Sequence, residues 1–375
     1  MRRCSRCILP ETVPGIRFDD QGICNYCRQY ERSFADWDLV KEKKRVEFEK
    51  LLEAARKLKR SYDCLIPLSG GKDSTYVLYL CSKVYGLNCL AVTFDNGYMS
   101  DRAKQNIDHA LKVVGADHFL YRLNHRDTIR LFRTFLTKTG DFCNACMRGI
   151  NFSIETAARR FKVPLIIKGS GKRVQYVSQV TAGISHSNSP FFFDRVIRNS
   201  EDERRFYHLG STKLGLEVYK IAYIFKIPRS RMMRFFPQGI GIYDFIYKPY
   251  TEIIDIIQQE MNWQKPEDTF EHFDCALHSI PFYKDTLKIE GITTETFHHS
   301  GLIRQGLMTR GAALEIEEEQ LKQKEPPAEL KVFLRDVHLS FDEFTHYVKS
   351  ADSAKFIPPF EKFFRKIYQK LYYKR

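Results

Sequence analysis

An α/β fold built on a parallel sheet is what this chain of 375 residues predicts, with a cysteine-rich head before it and a mainly helical region after it. Three observations carry that expectation. Between residues 61 and 180, short apolar runs alternate with amphipathic stretches of helical length, as in successive βαβ units. Four cysteines in two C-x-x-C pairs crowd the first 27 residues. Beyond about Thr181 the alternation stops, and aromatic, basic, helix-like sequence takes over. The expected division is therefore a head over 1–35, a linker helix over 36–60, a nucleotide-binding domain over 61–180 and a helical substrate or partner region over 181–375.

The elements follow in order. Phe48, Leu51, Leu52 and Ala55 recur at helical spacing in the charged stretch from Leu39 to Arg60, which predicts an amphipathic helix. Cys64–Leu68 reads as a buried strand in which Pro67 is tolerable only at the end. A helix over Ser74–Val84, a strand over Asn88–Phe94, a helix over Arg102–Val114, a strand over His118–Leu123 and a helix over Arg126–Thr137 are expected next. Ile150–Phe161 predicts another helix and Val163–Lys168 a fourth strand. Ser185–Pro190 is loop-like, Ser340 with Glu343 forms a capping box, and Phe360 to Tyr372 is amphipathic at helical spacing.

Composition narrows the function classes. Hydrophobic residues make up 43% of the chain, enough for a packed core and against global disorder. The formal net charge of +14 favours anionic partners such as nucleotides, nucleic acid or an anionic membrane surface, or is simply a solvated basic surface. The first residues carry no apolar leader and no apolar run is long enough for a bilayer. A cytoplasmic protein is expected, with cysteines as ligands or thiols in place of disulfides.

The strongest catalytic signal is Ser69-Gly70-Gly71-Lys72-Asp73-Ser74, between a strand and a helix. Phosphate oxygens need converging N–H donors, which a glycine turn and a helix N-terminus supply. Ser69 and Ser74 add hydroxyls and Lys72 a positive charge. Asp73 would repel phosphate unless a cation stood between them, so Mg²⁺ is implied. Two later strand ends fit the same site, because open α/β sheets place ligands at the carboxyl ends of strands. The first holds Thr93, Phe94 and Asp95, and the second holds Gly169 with Lys172 and Arg173 beyond it.

The loop resembles the S-G-G-x-D-S signature of the PP-loop ATP pyrophosphatases. That resemblance implies a Rossmann-like (adenine nucleotide alpha hydrolase-like) sheet that binds ATP, releases pyrophosphate and transfers AMP to a carbonyl oxygen. It also implies that the edge with Thr93, Phe94 and Asp95 meets adenine and ribose. Relatives carry Glu or His-Asn after the glycine where this chain has Gly169-Ser170-Gly171.

Cys4, Cys7, Cys24 and Cys27 are two pairs with sixteen residues between them, a spacing that suits a structural, zinc-ribbon-like Zn²⁺ site. The head from Cys4 to Cys27, the Tyr62–Leu68 stretch and Tyr85–Thr93 resemble the N-acetyl sugar amidotransferase branch of the PP-loop family over roughly the first hundred residues. This implies conversion of the acetamido group of a nucleotide sugar into an acetamidine in surface-polysaccharide (lipopolysaccharide) biosynthesis, with ammonia from a separate glutaminase subunit. A third pair, Cys143 and Cys146, resembles that of PP-loop enzymes that thiolate tRNA. With Cys275 as the distant third cysteine, it implies a candidate [4Fe–4S] cluster and a sulfur nucleophile. A Zn²⁺ held by Cys143, Cys146, Cys275 and His272 or His278, or a reduced pair without metal, are the alternatives. Cys64, Cys81 and Cys89 read as core residues. His186, His298 and His299 are candidate bases or ligands, although a lone histidine is more often an ordinary polar residue, and Asp194, Arg195 and Arg198 read either as a solvated face or as a grip on a diphosphate.

Overall fold

The computed structural model describes residues 1–171, 190–210, 229–265, 274–322 and 325–361. Five strands, β1 (Cys64–Pro67), β2 (Cys89–Asp95), β3 (Asp117–Arg122), β4 (Leu165–Lys168) and β5 (Gln238–Gly241), form one parallel sheet in the order β3-β2-β1-β4-β5. Cys64 stands opposite Cys89 on one side and Leu165 on the other. Pro67 lies opposite Val92, beyond the last β1–β4 pair at Leu65 and Ile166. The proline therefore sits where a central strand tolerates it.

The helices around the sheet follow from their caps and periodicity. α1 (Asn25–Phe34) leads from the head into α2 (Trp37–Arg56), which buries Phe48, Leu51, Leu52 and Ala55 as its spacing predicts. α3 (Lys72–Tyr79) follows β1 and runs into a π-helical turn over Leu80–Val84. α4 (Asp101–Val114) is capped by the Ser100 hydroxyl and closed by Gly115 at φ +66°. α5 (His125–Thr139) starts on the Asn124 side chain and stops at Gly140, the glycine end that helices commonly adopt. α6 (Cys143–Arg160) begins seven residues before the expected helix at Ile150, so the third cysteine pair lies in its first turn. The Asp141 carboxylate accepts from the Cys143 N–H at 2.8 Å and starts it there.

Both faces of the sheet are covered. Cys64, Ile66, Leu165 and Ile167 pack with α2, α3 and α4 and with the later helix Tyr250–Met261; Leu65, Leu90, Val92 and Ile166 pack with Ile154, Ala157 and Ala158 of α6. Cys64, Cys81 and Cys89 are buried in the first core, as expected. The C-terminal region is mainly helical, with one addition: its β5 completes the sheet beside β4. Its helices Pro190–Ile197, Ser279–Thr286, Ala328–Asp336 and Phe341–Ser350 share a core with α5 through Phe132, Phe135, Phe192, Phe193, Phe333 and Phe344. The capping box at Ser340 and Glu343 is present. Among the described residues, no helix is long and apolar enough to cross a membrane. The loop expected over 185–190 lies outside the described residues except for Pro190, and so does most of the expected terminal helix.

Candidate active site and metal centre

The signature loop occupies the turn from β1 to α3. Gly70 has φ +80°, and a Cβ there would fall 2.3 Å from the Ala103 carbonyl oxygen, so only glycine fits. Its own carbonyl accepts from Trp263 Nε1 at 2.9 Å and from Asn106 Nδ2 at 3.4 Å. The loop is thus gripped from α4 and from a tryptophan 193 residues away. Ser74 Oγ donates to the Gly71 carbonyl at 3.0 Å and lies 3.2 Å from Ser69 Oγ. Both hydroxyls therefore sit at the helix start, where an anion would be received.

A cleft of about 190 Å³ opens here, lined by Ser69, Gly71, Lys72, Asp73, Ser74, Gly169 and Asp274. Two hydroxyls, a lysine and two carboxylates line it, a set that suits phosphate oxygens with a cation. Gly169 closes one wall: a Cβ would lie 2.9 Å from Cα-side atoms of Asp73, namely its C and Cβ. Lys72 Nζ is 3.2 Å from Asp73 Oδ2 and stands 4.8 Å from the centre of the Tyr250 ring. Tyr243 donates its hydroxyl to Asp73 Oδ1 at 2.6 Å. Burial first, and then the Asp73 carboxylate, push the Tyr243 pKa well above its ordinary value, so it stays a donor. Asp73 and Asp274 are the carboxylates here that could hold a Mg²⁺ against a phosphate.

Thr93, Phe94 and Asp95 lie at the end of β2 as expected, but outside this cleft lining. Thr93 Oγ1 donates to the Leu68 carbonyl at 2.6 Å and meets His118 Nε2 at 2.8 Å. Phe94 packs where a Cβ on Gly149 would come within 2.3 Å of its ring, and it stacks on Tyr121. Asp95 pairs with Arg122 Nε at 2.7 Å and accepts from the Gly97 N–H at 2.7 Å. Lys172, Arg173 and His186 lie outside the described residues. His299 is buried between Glu295 and Glu317, at 3.3 and 3.5 Å.

The head brings its four cysteines together. Their sulfurs all lie within 4.8 Å of one another, with Cys4–Cys27 at 4.0 Å and Cys7–Cys24 at 3.8 Å. A tetrahedral ion with Zn–S bonds of about 2.3 Å requires sulfurs about 3.8 Å apart, so the donor set fits one tetrathiolate ion. Hydrogen bonds with Cys24 and then Cys27 pull the Cys4 pKa down, while those with Cys27 and then Cys4 push Cys24 up. Backbone N–H groups of Arg6, Cys7 and Cys24 donate to Cys4 Sγ at 3.4, 3.4 and 3.2 Å.

Cys146 and Cys275 meet at one amide, with Cys143 near enough for both to act on its thiol. Asn96 Nδ2 donates to Cys146 Sγ at 3.5 Å and to Cys275 Sγ at 3.4 Å. Residues 274–276 run beside 98–100, with Ala276 N donating to the Tyr98 carbonyl at 2.8 Å and Ser100 N to that of Asp274 at 3.2 Å. Successive side chains on such an extended segment point opposite ways, which sends Asp274 to the phosphate cleft and Cys275 to the other cysteines. Burial raises all three thiols, Cys146 to about 12. Among the described residues only the head's four cysteines close to single-ion spacing. His278 instead sits edge-on to Phe282 at the start of its helix, and His272 lies outside the described residues. Asp274, Tyr243, Trp263 and Asn106 are site residues that no motif marks.

Comparison with known proteins adds three findings. Residues 267–369 match the family described as "LPS biosynthesis protein WbpG-like, C-terminal domain". A stretch of 171 residues is 30% identical to "Uncharacterized protein MJ1599" of Methanocaldococcus jannaschii, covering 44% of this chain; the chain spans 58% of that relative's length. The solved structure of the U34-tRNA thiolase NcsA from Methanococcus maripaludis with its [4Fe-4S] cluster is similar over 84% of this chain and 89% of its own, at 16% identity and a TM-score of 0.32. The loop at its strand-to-helix turn and the WbpG-like match support the PP-loop ATP pyrophosphatase family. This chain combines a Rossmann-like five-stranded sheet, a four-cysteine head and a C-terminal region similar to the WbpG-like family.

Proposed function

We propose that this protein is an ATP-dependent amidotransferase of surface-polysaccharide biosynthesis. It adenylates the carbonyl oxygen of an N-acetyl group on a nucleotide sugar and replaces that oxygen with ammonia. The observation that carries this reading is the S-G-G-K-D-S loop, shaped for phosphate and facing Asp274, in a chain whose residues 267–369 are WbpG-like. The head sequence, which resembles N-acetyl sugar amidotransferases, supports the choice of substrate.

In this reading the amide oxygen attacks the α-phosphorus and pyrophosphate leaves. Ammonia then bonds to the amide carbon, AMP departs with the former amide oxygen, and an acetamidine remains. Lys72, Ser69, Ser74 and the N–H groups around Gly70 and Gly71 bind the phosphates that leave as pyrophosphate. Asp73 and Asp274 would hold Mg²⁺, which neutralises phosphate charge when bound. Thr93, Phe94 and Asp95 border the nucleoside end, and Gly169 walls the phosphates beside Asp73. The head is structural, the sheet domain binds ATP, and the region beyond 181 meets the sugar nucleotide and a glutaminase subunit.

A second reading, sulfur insertion into tRNA or a small heterocycle, is favoured by Cys146 and Cys275 meeting at Asn96 with Cys143 close by. One experiment separates the two. Release of AMP is followed with UDP-N-acetyl sugars plus ammonia, and with tRNA plus a sulfur donor, alongside the iron content. Sugar- and ammonia-dependent AMP release, lost in Asp73→Asn, supports the amidotransferase. Release only with tRNA and sulfur, from a protein that holds iron, overturns it in favour of thiolation.

A further inference from the structure

The four-cysteine site is assembled from both ends of the described chain. Residues 4–27 supply the sulfurs, and residues 289–310 wall them in. Ile289, Ile292 and Phe297 belong to the same apolar cluster as the four cysteines. Arg3 Nη2 donates to the Gly291 carbonyl at 2.7 Å, and Thr12 Oγ1 to that of Glu290 at 2.6 Å. Arg310 Nε donates to the carbonyls of Cys4 and Cys7, at 3.1 Å each. Arg304, buried on the helix Thr296–Gln305, places Nη2 3.7 Å from Cys7 Sγ. The start of that helix is fixed by buried Glu317, which accepts from Thr293 Oγ1 at 2.8 Å and Thr296 Oγ1 at 2.5 Å.

Charge explains why an arginine belongs there. Four thiolates around a divalent ion leave two negative charges in a site whose sulfurs are all buried. Removing such charge from water is costly unless it is paired. A buried guanidinium against the sulfurs offsets part of that charge and orients a ligand, which is the work of groups just outside a metal's own ligands.

We infer that Arg304 is the charge-balancing positioning residue of a metal tetrathiolate in the head, so that metal binding and docking of residues 289–310 onto the head form one linked equilibrium. Linkage is reciprocal: the docked helix tightens the metal by the factor with which the metal tightens docking. This is independent of which nucleophile the ATP site serves.

Two measurements test it. In competition of a chromogenic chelator for Zn²⁺, Arg304→Gln should weaken the metal about 10–100-fold, and Arg304→Lys, which keeps the charge, should recover most of that loss. An Arg304→Gln affinity within about twofold of the wild type, or a Lys variant as weak as the Gln variant, overturns the inference. Hydrogen exchange on the unmodified protein serves if the variants fold poorly. Stripping Zn²⁺ should speed exchange over 289–310 together with 4–27, and a change confined to 4–27 overturns the linkage. Absence of any bound metal overturns the tetrathiolate reading itself.

Discussion

Replacing Tyr243 with Phe isolates one hydrogen bond at the heart of the loop. The ring is buried, and Gly171 packs so closely that a Cβ there would sit 2.7 Å from Tyr243 Cβ. Phenylalanine fills the same space, so the variant loses the hydroxyl and little else. That hydroxyl meets Asp73 Oδ1 at 2.6 Å, within the range of charge-assisted O–H···O⁻ bonds. Hydrogen bonds to charged groups contribute about 1.5–3 kcal/mol. The Asp73 side chain is 26% exposed, so water replaces part of what is lost and the lower end applies. A stability loss of about 1.5 kcal/mol lowers Tm by roughly 3–6 °C on the scale of other large domains. If the bond also holds Asp73 in its working orientation, the same energy appears as about a tenfold fall in ATP cleavage. Thermal unfolding and AMP release measured on one preparation read both. A Tyr243→Phe protein with unchanged Tm and unchanged AMP release refutes the claim that Tyr243 orients Asp73.

Gly70→Ala should destabilise the fold by at least about 2 kcal/mol and abolish AMP release, because left-handed backbone costs a non-glycine residue about 1–2 kcal/mol before its Cβ meets Ala103; denaturant titration reads the first effect. Asp141→Asn should cost about 3–5 kcal/mol in the same titration, since it strands the Lys284 ammonium that Asp141 holds at 2.6 Å in a buried pair. His299 supplies a pH signature. Burial opposes its charge, but the Glu295 and Glu317 carboxylates outweigh it and raise its pKa from 6.5 to about 9. The charged form is favoured in the fold, so the stabilisation is complete below pH 6.5 and is lost as pH rises through 9, amounting to roughly 3 kcal/mol. Tm measured across that window should fall with rising pH, and His299→Gln should flatten the slope.

The parts of the fold that show in the sequence are those with local causes. Three of the four strands between residues 64 and 168 are short apolar runs and the edge strand β3 carries Phe119 and Leu120 between polar residues, and the helices α4 and α5 carry their own caps at Ser100, Asn124, Gly115 and Gly140. Gln238-Gly239-Ile240-Gly241 escapes notice because two glycines and a glutamine have little strand preference; it is a strand because β4 offers a free edge. The early start of α6 is hidden for a similar reason, since Cys-Asn-Ala-Cys-Met-Arg-Gly lacks apolar periodicity and its cap comes from Asp141 outside the helix. In the site, the loop and the head cysteines are legible because phosphate and a tetrahedral ion demand fixed residue types at fixed spacing. Tyr243, Trp263, Asp274 and Arg304 act across long stretches of chain, and only the folded chain brings them to the loop and the sulfurs. Thr93 and Asp95 show the converse: strand-end position is readable, whereas their bonds to Leu68, His118 and Arg122 are not.

The closure of the head by the far end of the chain also sets an order of events at the ribosome. The contacts of Arg3 with Gly291 and of Cys7 with Arg304 join residues 288 and 297 positions apart. At about 5–20 residues per second of synthesis, the cysteines emerge roughly 15–60 s before their wall exists. All four cysteines lie within residues 4–27, so for that interval the nascent head has its sulfurs open to ions and oxidants without the segment that later walls them in.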